Sequence, residues 1–102
     1  MKPYQVDEKK WRAFSRQQQL QNIAAELTRA TSAALHNKEE WREEACSRAL
    51  SLIDCSIADP KWEDKNFLFQ LRDAVAASWT GHSDPAIFRF ITTQVLEKAR
   101  EC

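Results

Sequence analysis

The segment Arg29 to His36, "RATSAALH", holds two side chains that together could move a proton and stabilise a negative charge. A histidine serves as general acid or base, and a guanidinium stabilises negative charge that builds beside it. Seven steps at about 100° per residue bring Arg29 and His36 to within about 20° of each other, two turns apart on one helix face. A bland reading is also open. Arg29 is then a solvated cation, and His36 sits near a helix C-terminus, where the dipole favours positive charge.

A second group of charges raises a different chemistry. In "SLIDCSIADPKW", Ser51 to Trp62, Asp54 interrupts an apolar run. A buried carboxylate costs several kcal/mol unless it is paired. On a helical wheel Trp41, Ala45, Cys46, Ala49, Leu50, Ile53 and Ile57 fill an arc of about 180°, and Asp54 lies about 40° beyond it. Asp54 is therefore a boundary residue. Arg48 lies on the other margin, between Trp41 and Cys55. On the following helix Arg72 falls just past Trp79, with Phe69 and Ala76 beyond. Glu26 lies at the core edge of the first long helix. The arginine stems could simply cover apolar surface with their heads in water. Arg48 or Arg72 could instead pair with Glu26 or Asp54 in a partly buried network that fixes helix register. A third possibility is an anion or partner site, because guanidinium suits bidentate carboxylate or phosphate recognition. A polar site is expected between Arg48 and Arg72, with Asp54 and Glu26 as counter-charges.

The elements that must position these groups are helices. One Gly and three Pro in 102 residues leave too few turn formers for a β-sandwich or barrel. Ala, Leu, Glu, Arg, Lys and Gln dominate, and these are helix formers. The expected fold is all-α, an up-down-up-down four-helix bundle in a single domain over 1–102, with a short N-terminal helical segment. That segment covers Asp7 to Phe14, where Trp11 and Phe14 could form a lid. The first long helix runs from about Ser15 to Leu35, with Leu20, Ile23, Ala24, Leu27, Ala30, Thr31 and Ala34 as its buried stripe. The second spans about Lys38 to Ala58, with Asn37 and Glu40 as a capping box and Asp59-Pro60 as its stop. The third spans about Glu63 to Thr80, unless Asp59 caps it and Pro60 opens it. Its face is Phe67, Leu68, Leu71, Ala74, Val75 and Trp79, and Gly81 ends it. The fourth runs from Pro85 to about Arg100, capped by Asp84, with Ile87, Phe88, Ile91 and Val95 inward.

Composition narrows the function. Fifteen Lys plus Arg balance fifteen Asp plus Glu, for a formal net charge of zero. A nucleic-acid module usually carries a basic excess, so nucleic acid is disfavoured, a local patch aside. No run reaches the about 18 apolar residues of a membrane span, and "MKPYQVDEKKW" lacks the apolar stretch of a signal peptide. The expectation is a cytoplasmic protein with no membrane role. Cys46, Cys55 and Cys102 form no CxxC pair, and a reducing compartment leaves them as thiols. Cys46 and Cys55 point to opposite sides of one helix, so no metal site is expected. The single Gly excludes phosphate-loop and dinucleotide fingerprints, and no HExxH or ExxH pattern occurs. No cofactor is expected. His82 reads as a loop residue.

The aromatic residues off the main stripes point to a partner. Phe69 and Phe90 leave the core arcs, and Trp, Phe and Arg are favoured at interface centres. The leading expectation is a non-enzymatic interaction module using Phe69, Arg72, Trp79 and Phe90. It would self-associate as a homo-oligomer or serve as a small subunit of a larger complex.

Two resemblances add to this. The segments "LQNIAAELTRA", "RALSLIDCSIADPKW" and "LFQLRDAV" resemble small uncharacterised prokaryotic helical-bundle proteins, which implies a bundle and no activity. The Arg29…His36 spacing resembles the R-x4-6-H pattern of the HEPN superfamily, also helical bundles. That resemblance implies a ribonuclease or an inactive relative, with Arg29 and His36 at a dimer interface. The polar residue that the pattern places after the Arg is Ala30 here, and the pair lies in the first long helix rather than a late one. A further alternative is an accessory subunit of a nucleic-acid-handling or defence complex.

Overall fold

The computed structural model describes residues 5–80 and 84–102. The chain forms α1 (Glu8–Ala13), α2 (Arg16–Leu35), α3 (Glu39–Ile57), α4 (Asn66–Thr80) and α5 (Pro85–Glu101). No strand occurs among the described residues. The four long helices close a ring in which α2 packs on α3, α3 on α4, α4 on α5, and α5 back on α2. Side-chain contacts, and for α2 and α3 the tight turn at Asn37, show neighbours running antiparallel. The start of α2 meets the end of α5, where the Gln17 amide donates to the Ala99 carbonyl at 3.1 Å. The start of α3 meets the end of α4, and Phe67 near the start of α4 meets Lys98 near the end of α5. The Cα extents are 37 × 31 × 18 Å. The thin dimension fits two helix layers whose axes lie about 8–10 Å apart. Among the described residues no helix is long and apolar enough to cross a membrane.

Local chemistry explains the boundaries. Asp7 caps α1 by accepting from the Lys10 amide at 3.2 Å. Ser15 and Gln18 form a reciprocal capping box at the start of α2, with bonds of 2.9 and 3.1 Å. At the other end of α2 the expected role of Asn37 changes. Asn37 has φ of 55°, in the left-handed region that Asn tolerates. The Lys38 amide bonds the Ala33 carbonyl at 2.8 Å and the Asn37 amide bonds Ala34 at 3.3 Å. This pattern is a Schellman C-terminus. Asn37 therefore ends α2 rather than capping α3, and Lys38 stands at the α3 N-cap without a side-chain bond.

The α3–α4 connection is longer than the periodicity implies. α4 begins at Asn66, neither at Glu63 nor at Pro60, because Trp62 turns inward and is buried. The Lys65 ammonium donates to the Ile57 carbonyl and, at 3.1 Å, to that of Asp59, closing the C-terminal end of α3. α5 starts at Pro85 behind Asp84, which accepts from the Ala86 amide at 2.9 Å. The expected stop at Gly81 and the loop role of His82 lie outside the described residues.

The core joins Leu20, Ile23 and Leu27 of α2 to Ile53 and Ala49 of α3, Leu68 and Val75 of α4, and Phe88 and Val95 of α5. Two wheel assignments fail. Ile87 is 46% exposed and Trp41 is 62% exposed. Each stands near the start of its helix at the edge of the apolar arc, outside the core. Trp11 is buried, as a lid would be, and meets the Phe14 ring edge-to-face at 5.8 Å. Burial pushes the Cys46 thiol up to about 11, so it stays protonated and inert.

The lid, α2 and α3 meet at Gln19, which is fully buried. Its amide nitrogen donates to the Trp11 carbonyl at 3.1 Å and to Asp59 Oδ2 at 3.0 Å. Its oxygen accepts from the Trp62 indole at 2.7 Å and lies 3.2 Å from the Ser56 hydroxyl. Ser56 in turn accepts from the Trp11 indole at 3.1 Å. Asp59 is also buried, and burial alone would raise its carboxyl. The Lys61 amide, the Gln19 amide and the Lys61 ammonium outweigh this and hold it below its ordinary value.

Two outcomes follow. Gln19→Leu is expected to cost on the order of 3 kcal/mol in urea unfolding, because each unpaired buried polar group costs about 1–3 kcal/mol. The exposed Gln21→Ala should stay within about 0.5 kcal/mol. For Asp59 the folded carboxyl titrates below the unfolded one, near about 3.9. Its stabilisation is complete above that value and is lost as pH falls through the folded one. The urea midpoint should therefore drop on acidification below about pH 4, and Asp59→Asn should flatten that drop.

Candidate functional site

The charged residues at the core margins sort onto two seams. On the α2/α3 seam Glu26 is almost fully buried. Its Oε1 accepts from an Arg29 guanidinium nitrogen at 2.7 Å, and its Oε2 accepts from Arg48 Nε at 2.9 Å. One carboxylate thus holds two arginines, one from its own helix and one from α3. A second acid, Glu44, lies 4.0 Å from Arg48. On the α3/α4 seam Arg72 Nε donates to Asp54 Oδ1 at 2.7 Å, with both side chains about half exposed. That contact raises the Arg72 pKa. A pair so open to solvent is screened and adds little to stability. Arg48 and Arg72 lie on different flanks of α3 and share no partner, so they do not frame one polar site.

Arg29 and His36 do meet a common space. They line a cleft of about 640 Å³ between α2 and α3, with Lys38, Trp41, Glu44 and Arg48 on its other side and Ser32 and Ala33 as its floor. Because α2 and α3 are antiparallel, the cleft has two distinct ends. Arg29 and Arg48 sit at one end. His36, Lys38 and Trp41 gather about two turns away, at the α2–α3 connection. His36 is the C-terminal cap of α2, and its Nδ1 is 2.8 Å from the Ser32 carbonyl. A carbonyl only accepts, so Nδ1 carries the hydrogen and Nε2 is left for other partners. The Lys38 ammonium lies 5.7 Å from the centre of the Trp41 ring.

The candidate interaction residues do not form one patch. Phe69, 50% exposed, lies beyond Arg72 on the α3-facing flank of α4. Trp79 is half-buried and packs against the core. Phe90 is 65% exposed and lies across the α4/α5 groove, which is floored by Leu71, Ala74 and Ile91 and has a volume of about 210 Å³. The Lys98 ammonium stands 5.7 Å from the Phe67 ring at one end of that groove.

Arg42 carries a role that the apolar pattern overlooks. It is only 2% exposed. Its guanidinium bonds Glu39 and reaches the Trp79 carbonyl at 3.3 Å and the Ser78 carbonyl at 3.5 Å. A cation is favourable at these last carbonyls of α4. The bond from Arg42 lowers the Glu39 carboxyl. The signal was present on the wheel, because Arg42 projects from the centre of the α3 apolar arc. Among the described residues no three or more His, Cys, Asp or Glu side chains gather as they would around a metal ion.

No family model matches this chain, and neither a curated protein nor a solved structure matches it.

Proposed function

We propose that this protein is a helical-bundle interaction module, not an enzyme, and that it self-associates through the outer face of α4 and α5. The observation that carries this reading is an uncharged strip in a chain whose residues are 29% charged. Phe67, Gln70 and Ala74 of α4 line a shared groove with Phe90, Ile91 and Gln94 of α5, and none of them is charged. Interface centres are depleted of charge and enriched in aromatics. The α4/α5 seam is also the loosest of the ring. Phe90 forms an exposed wall of that groove, and in the proposed dimer a two-fold axis sets the Phe90 ring of each copy against the groove of the other. A self-complementary patch of this kind is what an isologous dimer requires.

Analytical ultracentrifugation over a concentration series tests this. The expected result is a dimer for the native chain and a monomer for Phe90→Glu, with unchanged helical circular dichroism. Phe69→Glu, on the other flank, should leave the dimer intact. A native chain that stays monomeric into the millimolar range removes the reading.

A second reading rests on the cleft that Arg29 and His36 share. It is a HEPN-like ribonuclease, with His36 Nε2 as the proton carrier and Arg29 stabilising the phosphorane. RNA cleavage abolished by His36→Ala supports it. Absence of cleavage, or cleavage that survives that substitution, rejects it.

A further inference from the structure

We propose that the α2/α3 cleft binds a small ring-bearing monocarboxylate, its carboxylate on Arg29 and Arg48 and its ring against Trp41. This site is independent of self-association. The cleft volume of about 640 Å³ falls within the about 300–1,000 Å³ of small-molecule sites.

Three observations fix the ligand chemistry. The first is the anchoring of the arginines. Glu26 holds Arg29 and Arg48 through one short bond each. A guanidinium has five donors, so both keep N–H groups for a second carboxylate. Buried Glu26 has ordered them in advance, which cuts the cost of binding. The second is the exposure of Trp41. Trp11 and Trp62 are buried and Trp79 is half-buried, whereas Trp41 is 62% exposed at the far end of the cleft. Its indole offers a flat apolar surface for stacking. The third is charge. Arg29, Lys38 and Arg48 supply three positive charges, and Glu26 and Glu44 supply two negative ones, with His36 counted as neutral. The excess is three minus two, or one. A carboxylate matches that excess. A phosphate monoester, at about −1.5 to −2, leaves uncompensated charge in the cleft.

Length follows from the helices. Arg29 to His36 and Trp41 to Arg48 are each seven steps apart, or about 10 Å at about 1.5 Å per residue. Side chains reach inward from both ends, so the ring and the carboxylate must be separated by a linker of a few carbons. A suitable probe is 4-phenylbutyrate.

Titration of the full chain, followed by the Trp41 indole signal and by the backbone amide signals of Ser32 and Ala33, which line the cleft and remain in every variant, tests the proposal in ¹H–¹⁵N spectra. A saturable shift with 4-phenylbutyrate is expected. Butyrate, which lacks the ring, and 4-phenylbutanol, which lacks the charge, should bind at least about tenfold more weakly. Trp41→Ala and Arg29→Gln should each weaken 4-phenylbutyrate by about tenfold or more. Both side chains are mostly exposed, so the fold is kept, and circular dichroism verifies it. The proposal is overturned by the absence of a saturable shift, or by affinity that either substitution leaves unchanged. Tighter binding of phenyl phosphate than of 4-phenylbutyrate also overturns it and favours the phosphoryl reading.

Discussion

Everything at the closed end of this bundle is organised by one primary amide. Gln19 meets the α1 lid, the start of α2, Ser56 near the end of α3 and Asp59 in the connection to α4. Each contact is directional, so the amide tolerates only one arrangement of these segments. Hydrophobic burial supplies most of the stabilisation and has no such preference. Leu20, Ile23 and Ile53 could be satisfied by several packings, whereas a buried amide with two donors and an acceptor in use could not. Trp11 and Trp62 bring large rings to the same point, and each needs a partner for its indole N–H.

At the opposite end, the α2–α3 hairpin is set by backbone geometry. Asn37 in the left-handed region turns the chain so that Lys38 and Trp41 lie over the last turn of α2. Glu26 then ties Arg48 to α2 midway along the seam. Arg42 does comparable work between α3 and α4, where a buried cation replaces the missing partners of terminal carbonyls. Polar contacts therefore stand at both ends and at the middle of α3, and the apolar core fills the space between.

Much of this could be read from the chain. Apolar residues at helical spacing marked the long helices, and Asp84 stood where a cap was needed, whereas the caps at Asp7 and Ser15 emerge only from the structure. Glu26 and Asp54 were legible as margin acids, because the wheel depends only on spacing. The misses have physical causes. Asn37 suits both an N-cap and a left-handed C-terminus, and only φ distinguishes them. Gln19 lies in a run of three glutamines with unlike roles. Gln17 bonds α5, Gln18 closes a capping box and Gln19 enters the core. A wheel weighted by hydrophobicity passes over Gln19, Arg42 and Ser56 alike, although they project inward. The cleft lies beyond such a pattern altogether, since it depends on how two helices diverge.

The ring topology has a kinetic side. Three of its four seams join helices adjacent in the chain, and only α2 with α5 is distant in sequence. Contacts of low sequence separation form quickly, and a long closure is slow because the intervening chain must first be ordered. The chain is thus three successive hairpins shut by one remote seam. The entropy of closing that seam falls as each hairpin forms, so circularising the bundle is the natural last step of folding.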